Sequence, residues 1–258
     1  MKKLKGFSVA GLIIGIVVVA LIIIGGYIVI DGNNKATNYN DYDFYSIIKP
    51  TKDNGNIGDH VKGNPDAPVL IFEYADYQCQ GCAGVNPRVN KLVEELDGKL
   101  AVVYRSFLLS YHKNATAAAS AAEAAGLQGY WKQYADKLFT EQSEWYYASG
   151  SGRTELFNQY FAEVTNGEGD LDKFKKDIES EAVSKKISFD MGIGKRVDVS
   201  GTPAFFIDGQ LIDWGDSDES GFDSVTVNGQ TITWEEPQTG DKFIKLMKQI
   251  VAAKLGEE

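Results

Sequence analysis

The sequence predicts an α/β domain carried behind a single N-terminal transmembrane helix. Three observations predict it. First, from Gly6 to Ile30 no residue carries a formal charge, and Ile, Val, Leu and Gly dominate the stretch. About 20 apolar residues cross a bilayer as a helix. Second, two short apolar runs, PVLIFEYA at 68–75 and LAVVYRSFLL at 100–109, flank a segment with helical apolar spacing. That order reads as β-α-β. Third, a long helical block follows, and two hairpins and a helix close the chain.

Lys2, Lys3 and Lys5 precede the apolar stretch and Asp31 follows it. Positive flanks stay on the cytoplasmic side, so residues 31–258 are expected outside. A cleaved signal peptide is the alternative. Its apolar core would be shorter and would end in an A-x-A-like site, whereas this one ends in GGYIVIDG. Both readings export the remainder. Of the 258 residues, 43% are hydrophobic and 24% charged, which is ordinary for a folded protein and argues against a disordered one. The formal charge is −10. The exported part is more acidic still, because the first 30 residues carry only lysine charges. Nucleic acid and anionic headgroups need positive charge, so the acidic balance argues against them as partners.

The elements follow in order. Residues 31–58 are rich in Asn, Asp and Gly and read as a linker, with the FYSII patch docking on the domain. The 68–75 run reads as a buried strand. Val85, Val89, Leu92, Val93 and Leu96 define the helix, and Gly98 is its stop. Pro87 lies inside it and predicts a kink, having no N–H for the Ala83 carbonyl. The 100–109 run is the second strand. An insertion at about 114–190 is helical: an alanine-rich segment, an aromatic face of Tyr130, Trp131, Tyr134, Leu138 and Phe139, and two amphipathic segments, TELFNQYFAEV and LDKFKKDIESEAVSKKI. TPAFFIDGQLID at 202–213 turns at Asp208-Gly209, and SVTVNGQTITW at 224–234 turns at Asn228-Gly229. TGDKFIKLMKQIVAAKL is the closing helix. The domain organisation is thus 1–30 lysines and anchor, 31–58 linker, and 59–258 folded domain with its insertion.

Cys79 and Cys82 are the only cysteines. They stand where the first strand feeds the helix. A closed zinc site needs four ligands in two close pairs, and His60 and His112 form no such pair. Copper delivery through the two thiolates is a related reading. A static disulfide over so small a loop stabilises little. A redox pair explains the position. A helix N-terminus carries free N–H groups and partial positive charge, which stabilises a thiolate. Cys79, at the exposed end, is the exchanging sulfur and Cys82, one turn in, the resolving one.

These motifs identify a resemblance. The chain resembles the DsbA-like thiol-disulfide oxidoreductases of the thioredoxin fold, particularly membrane-tethered ones with a helical insertion. GDHVKGNPDAPVLIFEYADYQCQGC, HKNATAAASAAEAAGLQGYW and VSGTPAFFIDG carry it, over most of residues 58–209. The resemblance implies a thioredoxin-like fold with an inserted helical domain. It implies a cis Thr202–Pro203 peptide bond beside the cysteines, with that loop pairing the substrate backbone as an added strand. It implies that Glu73 is a buried acid beneath the site, passing a proton to or from Cys82; the competing reading is a solvent-facing strand position. Gln80-Gly81 takes the place where strongly oxidising members carry Pro-His, so a milder oxidant is expected. No cofactor is expected. The implied partners are exported thiol-containing proteins and a quinone-linked membrane reoxidase.

The function expected is disulfide formation in exported proteins. A reductase or isomerase, a copper-delivery protein and a peptide-binding module with incidental thiols are the alternatives. His112 reads as a cap or packing residue, and Asp76 as a loop acid. DWGDSDES at 213–220 reads as a solvated loop rather than a calcium site. Asn114-Ala115-Thr116 matches a glycosylation sequon.

Overall fold

A computed structural model describes residues 37–212, 223–234 and 240–257. The apolar stretch at 6–30 and the acidic loop at 213–220 lie outside the described residues. Among those described, no helix is long and apolar enough to cross a membrane. The chain divides into two units at Asn38, and the second, beginning at Tyr39, holds all the strands and helices among the described residues.

A five-stranded sheet has the order β1-β3-β2-β4-β5. Its strands are β1 (His60–Gly63), β2 (Val69–Ala75), β3 (Leu100–Ser106), β4 (Ala204–Ile207) and β5 (Gln210–Ile212). Only the β2–β3 pair is parallel, with Val69 opposite Leu100 and Glu73 opposite Tyr104. The other pairs are antiparallel. Helix α1 (Gln80–Glu95) makes the crossover between β2 and β3. Pro87 lies within α1, which runs as one element across it.

Side chains alternate across a strand. Val69, Ile71, Leu100, Val102, Phe205 and Ile207 therefore share one face, packed on Val85, Val89 and Leu92 of α1 and on the closing helix α8 (Asp241–Leu255). Phe72, Tyr74, Val103 and Phe206 line the other face. Both faces are covered, which is why β2 and β3 read as nearly continuous apolar runs. By the same alternation Glu73 faces the α1 side and Arg105 the opposite one.

Between β3 and β4 stand six helices: α2 (Ala115–Gly126), α3 (Trp131–Thr140), α4 (Gln142–Trp145), α5 (Gly150–Val164), α6 (Leu171–Ile178) and α7 (Glu181–Arg196). Ala118, Ala119, Ala121, Ala122, Ala124 and Ala125 of α2 are buried and form the floor on which Tyr134, Leu138, Phe161 and Phe174 pack. The amphipathic segment at 171–187 is two helices, not one. Ser180 breaks it by accepting a hydrogen bond from the Val183 N–H at 3.3 Å, an N-cap. The second hairpin, β6 (Asp223–Val227) with β7 (Gln230–Trp234), is a separate two-stranded sheet. Val225, Val227 and Trp234 are buried with α8, so this hairpin closes the core over that helix.

The expected linker differs from Tyr39 onward. Tyr39 stacks on Phe189 and under the Arg196 guanidinium, 3.7 Å from its ring centre. A Cβ on Gly192 would collide with the Tyr39 hydroxyl, so only glycine admits the ring there. Ile48 is buried, and Arg105 donates to the Phe44 and Ser46 carbonyls at 2.5 and 3.0 Å. Residues 39–59 are a strap over one sheet face. The FYSII patch is part of it. The strap binds through tyrosines and main-chain carbonyls, which composition scores as polar.

Candidate active site

The site is built where β2 ends. Asp76 follows β2 directly and is fully buried. Its carboxylate accepts from the Gln78 N–H at 2.8 Å, the Leu109 N–H at 2.9 Å and His112 Nδ1 at 2.8 Å. Its carbonyl accepts from the Cys79 N–H at 3.0 Å. This is an aspartate-turn with extra ties. It is more than the loop acid expected from the sequence, and His112 is its partner.

The insertion clamps the same turn from the other side. Gln142 donates to the carbonyls of Tyr77 and Cys79 at 2.7 and 3.0 Å. Gln78 donates to the Tyr146 carbonyl at 2.9 Å and accepts from the Asn114 N–H at 2.6 Å. Asn114 is buried, and its side-chain amide donates to the carbonyls of Trp145, Tyr146 and Ala148. In the folded protein it is therefore a brace and not an accessible glycan acceptor.

Cys79 is the N-cap residue of α1, and its carbonyl accepts from the Ala83 N–H at 3.1 Å. Cys79 is itself buried, 9% exposed, rather than lying at an exposed helix end, and Cys82 is fully buried one turn on; both are free thiols in this structure. A hydrogen bond from the Cys82 thiol brings Cys79 down to about 6. Burial opposes that, while Thr202 and the N–H groups of Gly81 and Cys82 add to it. Burial pushes Cys82 well above the ordinary thiol range, and the neighbouring Cys79 and Glu73 add to it. One sulfur is thus a thiolate at neutral pH and the other a thiol.

The Thr202–Pro203 peptide bond is cis. Cys79 Sγ is 3.2 Å from the Thr202 carbonyl oxygen. A Cβ on Gly81 would lie 3.2 Å from Pro203 Cδ, so Gly81 admits the proline loop against the Gln80-Gly81 turn. Cys79, Cys82, Gln80, Gly81, Thr202 and Pro203 thus converge at the end of α1.

Glu73 is 1% exposed, with Oε2 lacking any hydrogen-bond partner. Burial pushes its carboxyl up to about 7; Lys62 pulls against this and Asp136 pushes with it. It is not at a solvent-facing position.

Both histidines are engaged: His60 stacks on Trp131 and bonds Glu123 at 2.7 Å, and His112 bonds Asp76 of the site's turn. Among the described residues no cluster of His, Cys, Asp and Glu is arranged to hold a metal ion. The two thiols can exchange disulfides, and the buried Glu73 is near enough for its charge to push the inner one up. Sequence reasoning missed Gln78, Lys62, Asp136 and Gln142, whose partners lie far along the chain.

Comparison with known proteins agrees with the fold. A family model described as Thioredoxin matches residues 55–223. BdbD from Bacillus subtilis, in its oxidised form, is similar with a TM-score of 0.56 at 16% identity, over 82% of this chain and 98% of that one. A double cysteine-to-alanine variant of alpha-DsbA1 from Wolbachia pipientis is similar with a TM-score of 0.51 at 25% identity, over 76% and 94%. A curated relative, the Na(+)/H(+) antiporter NhaA 1 of Mycolicibacterium gilvum, is 32% identical over 155 residues. That stretch is 59% of this chain, which spans only 24% of the antiporter.

Proposed function

The chain belongs to the thioredoxin family, and on that premise we propose that it is a thiol-disulfide oxidoreductase that forms disulfides in exported proteins. The observation that carries the proposal is the placement of the two sulfurs: Cys79 caps α1 with its Sγ 3.2 Å from the carbonyl oxygen of the cis-proline loop, and Cys82 is fully buried one turn on; these surroundings push Cys79 down and Cys82 up.

A substrate thiolate attacks Sγ of Cys79 in the oxidised enzyme. The Cys79–Cys82 bond breaks as the substrate–Cys79 bond forms, and its electron pair leaves on Cys82. Cys82 takes a proton from the Glu73 carboxyl, which is left as carboxylate. A second substrate thiolate then attacks the substrate sulfur of the mixed disulfide. Cys79 departs as the thiolate that its surroundings favour. Two substrate thiols have become one disulfide, and the enzyme holds the two electrons. A quinone-linked membrane protein is the proposed reoxidant.

The Thr202–Pro203 loop is the proposed edge on which the substrate backbone pairs. Tyr111 and Tyr147 support an unfolded chain as substrate. They are 72% and 89% exposed, next to His112 and Tyr146, which the site's own turn engages. The membrane anchor at 6–30 and the extracytoplasmic location are part of the same proposal, since disulfides persist in oxidising compartments.

Replacing Cys82 by alanine tests it. The variant lacks the resolving sulfur and is expected to accumulate mixed disulfides between Cys79 and exported proteins, seen as adducts that reductant releases. A Cys82→Ala protein that traps none would defeat the oxidase reading. Equilibration with glutathione fixes direction: an oxidase has a higher potential than a reductase of the same motif.

A further inference from the structure

A buried ionic cluster lies where β1, α1 and α3 meet. Lys62 is 1% exposed. Its ammonium has three protons to give, and all three are spent away from Glu73. They go to Asn86 Oδ1, to Asn90 Oδ1 at 3.0 Å and to Asp136 Oδ1 at 3.4 Å. The same Asp136 oxygen accepts from the amides of Asn86 and Asn90 at 3.1 and 2.9 Å. Its other oxygen accepts from Lys132 at 3.0 Å. Asn86 and Asn90 are on α1, one and two turns beyond Cys82. Glu73, meanwhile, keeps an oxygen with no partner.

We propose that Asp136 is a positioning residue for the thiol chemistry: it holds the Lys62 ammonium off Glu73, so that Glu73 stays protonated and able to supply Cys82. The inference rests on the proposed role of Glu73 as proton donor. Two electrostatic effects of Asp136 point the same way. It engages the cation that would otherwise neutralise Glu73, and its own negative charge disfavours a second one nearby. The charged and titratable groups that act on Glu73 or feel its charge are Lys62 from β1, Asp136 from α3, Cys82 from α1, Tyr104 from β3 and Tyr77 from the turn. Among these Lys62 is the one cation, so its placement decides the balance.

Opposite substitutions separate this from a structural role. Asp136→Asn and Lys62→Met both break the same ion pair, and a structural role predicts similar effects from each. Here Asp136→Asn is expected to lower the Glu73 titration midpoint, and Lys62→Met to raise it, each by about one pH unit. The measurement is the side-chain carboxyl 13C shift of Glu73 against pH in the full-length reduced protein, assigned with Glu73→Gln. Asp136→Glu restores the charge and is expected to restore the midpoint. Shifts of one sign in both variants, or none in Asp136→Asn, overturn the proposal. Should Asp136→Asn not fold, Asn90→Asp is read instead: it adds a carboxylate beside Lys62, an upward shift supports the proposal and no shift overturns it. The titration needs no turnover, so its failure is distinct from a failure of Cys82→Ala to trap substrate.

Discussion

Asp59→Ala is expected to lower the unfolding free energy by about 3–5 kcal/mol, the usual cost of removing one partner from a buried ion pair. Asp59 has no exposed side-chain surface. It accepts from Arg105 Nη2 at 2.7 Å, from Lys186 Nζ at 3.2 Å and from the Ile48 N–H at 2.9 Å. Arg105 and Lys186 are themselves fully buried. Without Asp59, Asp190, 2.7 Å from Lys186, is left to balance two buried cations. A domain with a typical stability of about 5–15 kcal/mol loses a large part of it. Urea unfolding of the variant checks this by its midpoint.

The loss is also expected to be local in its consequences. Asp59 and Arg105 fix the strap, through Ile48 and through the Phe44 and Ser46 carbonyls, on the sheet face opposite α1. The Ile48 amide should therefore exchange with deuterium first. Thiol exchange per folded molecule should hardly change, since the cysteines lie on the α1 side. The pH dependence has a definite sign. Burial raises the Asp59 carboxyl, but Lys186 and Arg105 outweigh it and hold it below the ordinary range. A depressed folded pKa contributes stability above the unfolded value, about 3.9, which is lost as pH falls through the folded one. Wild type and variant should converge only in acid.

This strap shows where sequence reading stops. β2, α1, β3, both hairpins and α8 announce themselves through apolar runs, helical spacing and Asx-Gly turns, all local signals. The strap does not, because its energy comes from Arg105 reaching back 46 positions to Asp59. β1 escapes sequence reading for a similar reason. It has four residues, His-Val-Lys-Gly, and its buried one is a lysine. The site divides likewise. Cys79, Cys82, Gly81, Pro203 and Glu73 stand in short motifs. The braces Gln78, Asn114 and Gln142, and the Lys62–Asp136 pair 74 positions apart, are ordinary polar residues until folding brings them together. Asn114 even suggests a different role, because its tripeptide matches a surface motif.

Glu73→Gln is expected to stabilise the protein at pH 8 by about 3 kcal/mol while slowing its chemistry. The carboxyl rises from 4.5 to about 7 on folding, chiefly through burial. For an acid shifted upward the sign is the reverse of that for Asp59. Below about 4.5 the group is neutral in both states and costs nothing. Between 4.5 and 7 the unfolded chain releases its proton and the folded one does not, so stability falls. Above 7 the penalty levels off at ~3 kcal/mol, each unit being worth about 1.4. Glutamine keeps the shape and does not ionise, so the gain should vanish near pH 4 and be full at pH 8. Thermal unfolding at the two pH values measures it. The same change removes the proton that Cys82 takes on leaving, and general acid catalysis of this kind is worth about 10²-fold or more. A slower first exchange step, with the greater loss below pH 7 where Glu73 is still protonated in wild type, ties the stability cost to the reaction. A Glu73→Gln protein that is more stable and equally fast would make the carboxyl an inert burden, and would leave Cys82 to draw its proton from solvent.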